Sequence, residues 1–236
     1  MSFPNAFRGV SKLLVAEILN LIATGLIIAA GISGIVGGAS AVINTVSQTT
    51  EITEETVESS IGSPGVIAAV FMGMGAMILF IIAYIINLVG LAQAGRDENN
   101  FRNAFFVSIA VLVISIVASF LSGSNAGDGA AGDIAATART VCEIFVMVSV
   151  VTGIMSLASM LNDSGMQNFG RKLIIIIIVS IGIGAVASFI NIFFGANSVV
   201  HAVDGIMGLI SGIAMLVGYI AYIIYLAKAK KMLREG

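Results

Sequence analysis

Long apolar stretches alternate with short polar ones along this chain. The apolar stretches cover about residues 13–38, 65–92, 104–121, 134–161, 173–194 and 203–227. A helix needs roughly 20 apolar residues to cross the roughly 30 Å hydrocarbon core of a bilayer, and each stretch reaches or approaches that length. Strands do not fit. A membrane barrel alternates apolar and polar positions in runs of about ten residues, whereas the run from Leu173 to Val179 is apolar at every position. That run is β-branched, which favours a strand in water. In lipid every backbone polar group must be satisfied inside its own segment, so helix prevails. The pattern predicts an all-α integral membrane protein, a single transmembrane domain over 1–236 with six transmembrane helices.

The cations orient those helices. Arg8 and Lys12, Arg96 and Arg102, Arg171 and Lys172, and Lys228, Lys230, Lys231 and Arg234 fall in alternate polar segments, on one side of the membrane; of the 11 Lys and Arg only Arg139 falls elsewhere. The positive-inside rule then places both termini in the cytoplasm. The other side is acidic or neutral, with Glu51, Glu54, Glu55 and Glu58 in an outer loop over 46–64 and Asp128 and Asp133 in the next. The first apolar stretch is too long for a signal-peptide core and lacks a clear small-residue cleavage site, so it reads as a retained helix. Apolar residues continue to about Ile43. A helix that long tilts, breaks near Gly37-Gly38 or projects from the bilayer.

Composition agrees with this class and narrows it. Apolar residues are 58% of the chain and charged residues 10%, against about 25% charged in a soluble domain. Mean hydropathy is +1.07. A net charge of −2 and a single cysteine exclude a nucleic-acid binder and a disulfide scaffold. The bilayer is therefore the first partner, and the cytoplasmic cations suit the plasma membrane of a prokaryote.

An internal repeat is visible. Ala76-Met77 and Ile82 to Ile86 in the second stretch return as Ala214-Met215 and Ile220 to Ile224 in the sixth, 138 residues later. Half that offset carries Ile85 and Leu88 onto Ile154 and Leu157, and Val117 to Phe120 onto Val186 to Phe189. The chain thus reads as three tandem helical hairpins, about 1–95, 96–163 and 164–236, each entering from and returning to the cytoplasm. Repeats of one orientation are related by an axis along the membrane normal. Ser63-Pro64, Asp133 and Asp204 are candidate helix starts.

Small residues let helices approach in lipid. Gly34 and Gly38, Gly184 and Ser188, and Gly208 and Gly212 are each four apart, which marks them as helix-packing positions within a protomer or between protomers. Tyr219, Tyr222 and Tyr225 lie along the inner half of the sixth stretch as an interfacial belt or packing stripe, with a ligand-lining stripe as the sharper alternative.

Ionisable groups inside spans are costly and are candidate functional groups. Glu17, with Asn20 and Thr24 on the same helix face, reads as a cation or proton site, or as a carboxylate that snorkels to the interface or pairs with Lys12. Arg139 and Glu143 are four apart on one face, an outer gate or a structural ion pair. His201 and Asp204 read as a pH-sensing pair or as a helix start with a solvated histidine. Met72, Met74 and Met77 do not share a face, which argues against a copper path. Cys142 stands alone. No HExxH, GxSxG or phosphate-binding glycine loop occurs, so neither an enzyme nor a cofactor or metal is expected. The signatures of mitochondrial carriers, claudins and aquaporins are missing too. Two functions remain. One is a self-associating membrane scaffold or accessory subunit, a homo-oligomer, suggested by scarce buried charge and glycine-rich faces. The alternative is a small oligomeric channel or transporter for an ion or small solute, built on Glu17, Arg139 and Glu143.

Overall fold

A computed structural model of the chain describes residues 3–46, 64–122, 130–194 and 198–236, and the side-chain surroundings at 3–33, 64–65, 67–116, 141–179, 210, 212–214 and 216–236. The described backbone is helical apart from turns at 95–98 and 161–163 and the chain ends. The helices are α1 (Pro4–Val46), α2 (Pro64–Ala94), α3 (Asn99–Ser122), α4 (Ala130–Met160), α5 (Ser164–Phe194) and α6 (Ser198–Glu235). Among the described residues, five are long and apolar enough to cross a membrane. The far half of the apolar stretch of α5 lies outside the described side chains. Large apolar side chains face outward, with Phe71 70%, Met77 67% and Ile213 64% exposed. Such a surface is costly in water and suits lipid.

Each helix outlasts the apolar stretch that predicts it. α1 begins at Pro4, α5 at Ser164, and α6 runs to Glu235. Pro4 suits a first helical position because its missing N–H needs no partner there. The described extra turns, at 4–12, 99–103, 164–172 and 228–235, are exposed on one face and packed on the other, so tertiary burial, not hydropathy, carries them. α1 has 43 residues, roughly 65 Å at 1.5 Å each, longer than the hydrocarbon core. Its backbone passes through Gly37 and Gly38 without the break that is one of the three expectations for this helix. Asp133 and Asp204 do not start their helices: α4 opens at Ala130 and α6 at Ser198. Both aspartates lie inside the helical backbone. α2 does open at Pro64; Ser63 lies outside the described residues.

The chain forms two compact units. One holds residues 15–87, which takes α1 from Val15 onward and α2 as far as Asn87. Ala16, Ala23, Ala76 and Ala83 are fully buried there. Alanines seven apart on each helix form a small-residue stripe of the kind that lets helices approach in lipid.

The other unit holds residues 1–14 and 88–236. In it α3 packs on α4, α4 on α5 and α5 on α6. Its core gathers at the end where the two described turns lie. Val10, Leu13, Leu91, Phe101, Ile154, Leu157, Tyr225 and Leu233 are buried together. Polar neighbours in the sequence end up beside this core because the turns are tightly built.

The turn between α4 and α5 shows how. Asn162 adopts the left-handed conformation, φ 56°. Its N–H bonds the Ser159 carbonyl at 3.2 Å, and the Asp163 N–H bonds the Ala158 carbonyl at 2.9 Å. This paired arrangement ends a helix by satisfying carbonyls that have no intrahelical partner. Asp163 then starts α5: its Oδ1 accepts the Met166 N–H at 2.9 Å. One residue closes a helix and the next opens another, so α4 and α5 reverse direction within three residues.

Candidate functional site

The described candidates for an intramembrane polar site lie on two helices, Glu17 and Asn20 on α1 and Glu143 on α4. Glu17 is 9% exposed on α1 and is the buried carboxylate among the described residues. Asn20 is half-buried, but Thr24 is exposed and its hydroxyl donates to the Asn20 carbonyl at 2.8 Å. Glu143 is exposed on α4. The side chains of Arg139, His201 and Asp204 lie outside the described residues, as do the surroundings of Gly34, Gly38, Gly184, Ser188 and Gly208. Gly212 is described, and no described atom lies within 4 Å of where it would carry a Cβ. It faces outward within its own protomer.

Polar chemistry instead gathers at the turn end. In the α2–α3 turn, Asp97 reaches the first turn of α1. Its Oδ2 accepts the Ala6 N–H at 2.7 Å and its Oδ1 accepts from Asn5 Nδ2 at 2.9 Å. A carboxylate at that place also suits the positive end of the helix dipole. The next residue, Glu98, accepts from Asn100 Nδ2 at 2.8 Å and from Ser156 Oγ of α4 at 3.1 Å. Two adjacent acids therefore bind one turn to two different helices.

Glycine makes the same junction tight. A Cβ on Gly9 would stand 2.6 Å from the Ala94 Cβ and from the Gly90 carbonyl oxygen. α1 and α2 touch backbone to backbone here, a contact that a larger residue would force apart.

Tyr222 and Tyr225 pack; they do not form an interfacial belt. Tyr225 is fully buried and Tyr222 3% exposed. The Tyr225 hydroxyl donates to the Val151 carbonyl over a long 3.4 Å. Its ring meets Phe169 edge to face, centroids 5.4 Å apart. Lys228 Nζ lies over the Phe169 ring, 4.9 Å from its centre. Next to this stack, between the start of α5 and the end of α6, opens a groove of about 570 Å³. Asp163, Met166 and Phe169 line one wall, and Lys228, Lys231 and Met232 the other.

Met74 and Met77 are exposed, and Cys142 is a half-buried free thiol. Among the described residues no three His, Cys, Asp or Glu side chains gather in a metal-binding group. No protein-family model, curated protein or solved structure matches the chain.

Reading the sequence for chemistry inside the apolar stretches passed over Asp97, Glu98 and Asp163. Their signal is nonetheless in it. Arg96-Asp97-Glu98-Asn99 and Asn162-Asp163-Ser164-Gly165 are the polar breaks between apolar runs, rich in helix-capping residue types. What the residues do there depends on which helix the turn meets.

Proposed function

We propose that the chain is a non-catalytic, self-associating membrane scaffold or accessory subunit. In this reading it spans the plasma membrane six times as three tandem hairpins, with both termini cytoplasmic. The observation that supports it is the filled interior of the turn end. Side chains from α1 to α6, among them Leu13, Leu91, Phe101, Ile154 and Tyr225, close on one another with almost no exposure. A solute path through the middle of one protomer would have to open that packing. Matched positions of the proposed repeat differ in their surroundings. Phe101 and Phe169, which follow Asn100 and Asn168 at an offset of 68, both pack in this core. Ile85 and Ile154, also matched, differ: the first is 55% exposed and the second fully buried.

Self-association draws on the outward apolar and glycine positions, Gly212 included, which are free within the protomer. Partners beyond lipid and a second copy of the chain are not implied by these residues.

The deciding experiment measures oligomeric size in nanodiscs and solute flux in proteoliposomes. We expect a discrete homo-oligomer and ion flux no greater than that of empty liposomes. Flux that disappears with Glu17→Gln or Arg139→Ala would overturn the scaffold reading in favour of an oligomeric channel or transporter.

A further inference from the structure

The groove between α5 and α6 sits where both helices leave their apolar stretches. Those stretches begin at about residue 173 in α5 and end at about 227 in α6, while the groove is lined from Asp163 to Phe169 and from Lys228 to Glu235. Its residues therefore stand from under one turn to nearly three turns beyond the apolar stretches, in the range of lipid headgroups. Basic pockets between membrane helices at that depth suit anionic headgroups.

Its chemistry is two-sided. Lys228 and Lys231 supply two cations on one helix face, three apart. Met166, Phe169 and Met232 supply an apolar floor. Each of the two acids of the groove has a partner outside the lysine pair. Asp163 Oδ1 accepts the Met166 N–H at 2.9 Å, at the positive end of the α5 dipole. Glu235 Oε1 lies 3.9 Å from Arg234 Nη2. Lys228 Nζ is held over the Phe169 ring, and Lys231 is exposed.

We propose that this groove holds the phosphate-bearing headgroup of an anionic phospholipid. Lys228 and Lys231 contact the phosphate, and Met166, Phe169 and Met232 lie against the glycerol and first acyl carbons. The apolar floor favours a lipid over free phosphate, which would leave that surface unused. The site is independent of the scaffold reading, because a transporter with the same groove would bind the same lipid.

The test is native mass spectrometry of the full chain released from detergent with equal phosphatidylglycerol and phosphatidylcholine. Phosphatidylglycerol adducts should predominate. Lys228→Gln with Lys231→Gln should cut the preference by about fivefold for each lysine. Lys230→Gln, in the same basic tail but not lining the groove, should leave it within about twofold. If the double variant fails to fold, Lys231→Gln alone carries the test. Three results would overturn the proposal. They are equal retention of both lipids, an equal loss in Lys230→Gln (attraction by the whole tail), and displacement of phosphatidylglycerol by millimolar inorganic phosphate (a free-anion site).

Discussion

The carboxylate of Asp97 bonds the backbone N–H of Ala6 at 2.7 Å across 91 residues of sequence. A turn between α2 and α3 thereby caps α1. Asp97→Ala removes this bond and the one from Asn5, leaving a helix-start N–H without its partner. We expect a loss of about 1–2 kcal/mol, read as a lower thermal midpoint in detergent and faster proteolysis near the N-terminus. Asp97→Asn, which keeps an acceptor oxygen, should recover most of it. No change in either readout for Asp97→Ala would remove this contact from the account of stability.

Gly9 lies against the α2 backbone with no room for a side chain. Gly9→Leu should separate α1 from α2 at this end, at a cost of about 1–3 kcal/mol. Gly25→Leu is the control, since no described atom lies within 4 Å of its would-be Cβ. Equal destabilisation by both variants would show that the effect comes from crowding lipid, not from helix contact.

Tyr225 fills the core chiefly with its ring. Its hydroxyl bond to Val151 is long, so Tyr225→Phe should cost under about 1 kcal/mol. Tyr225→Ala leaves a cavity beside Phe169 and should cost about 3–5 kcal/mol. A Tyr225→Phe variant as unstable as Tyr225→Ala would show that the hydroxyl, and not the ring, is the essential part.

Asn162 holds a left-handed backbone that β-branched residues adopt only with strain. Asn162→Gly should be neutral within about 0.5 kcal/mol, whereas Asn162→Val should destabilise by about 1–2 kcal/mol. The comparison is read from thermal midpoints of the purified protein. Indifference to valine would mean that the turn refolds into another conformation.

Hydropathy located every helix but not its ends, because the ends are polar and are held by contacts that cross from one helix to another. The turns at 95–98 and 161–163 were legible as polar breaks. That Asp97 would serve α1, and Asp163 the helix that follows it, was not. A spacing of four marks packing glycines within one helix. Gly9 and Gly90, which make a backbone contact, share no spacing, since they lie on different helices. The buried alanines do carry a local mark: Ala16 and Ala23, like Ala76 and Ala83, are seven apart.

The tyrosines show the same division. Tyr222 and Tyr225 are three apart and lie near a basic segment, a pattern shared by interfacial belts and packed stripes. Only the approach of Phe169 and Val151 separates the two.

The sequence by itself determined that this is an all-helical protein with helices able to cross a membrane, because lipid demands long apolar segments with internally bonded backbones. That requirement is local and can be read residue by residue. Which residues meet at the turn end was decided only by the tertiary structure. Caps, glycine contacts and the lysine groove join positions far apart in the chain, and only the packing of one helix on another brings them within bonding distance.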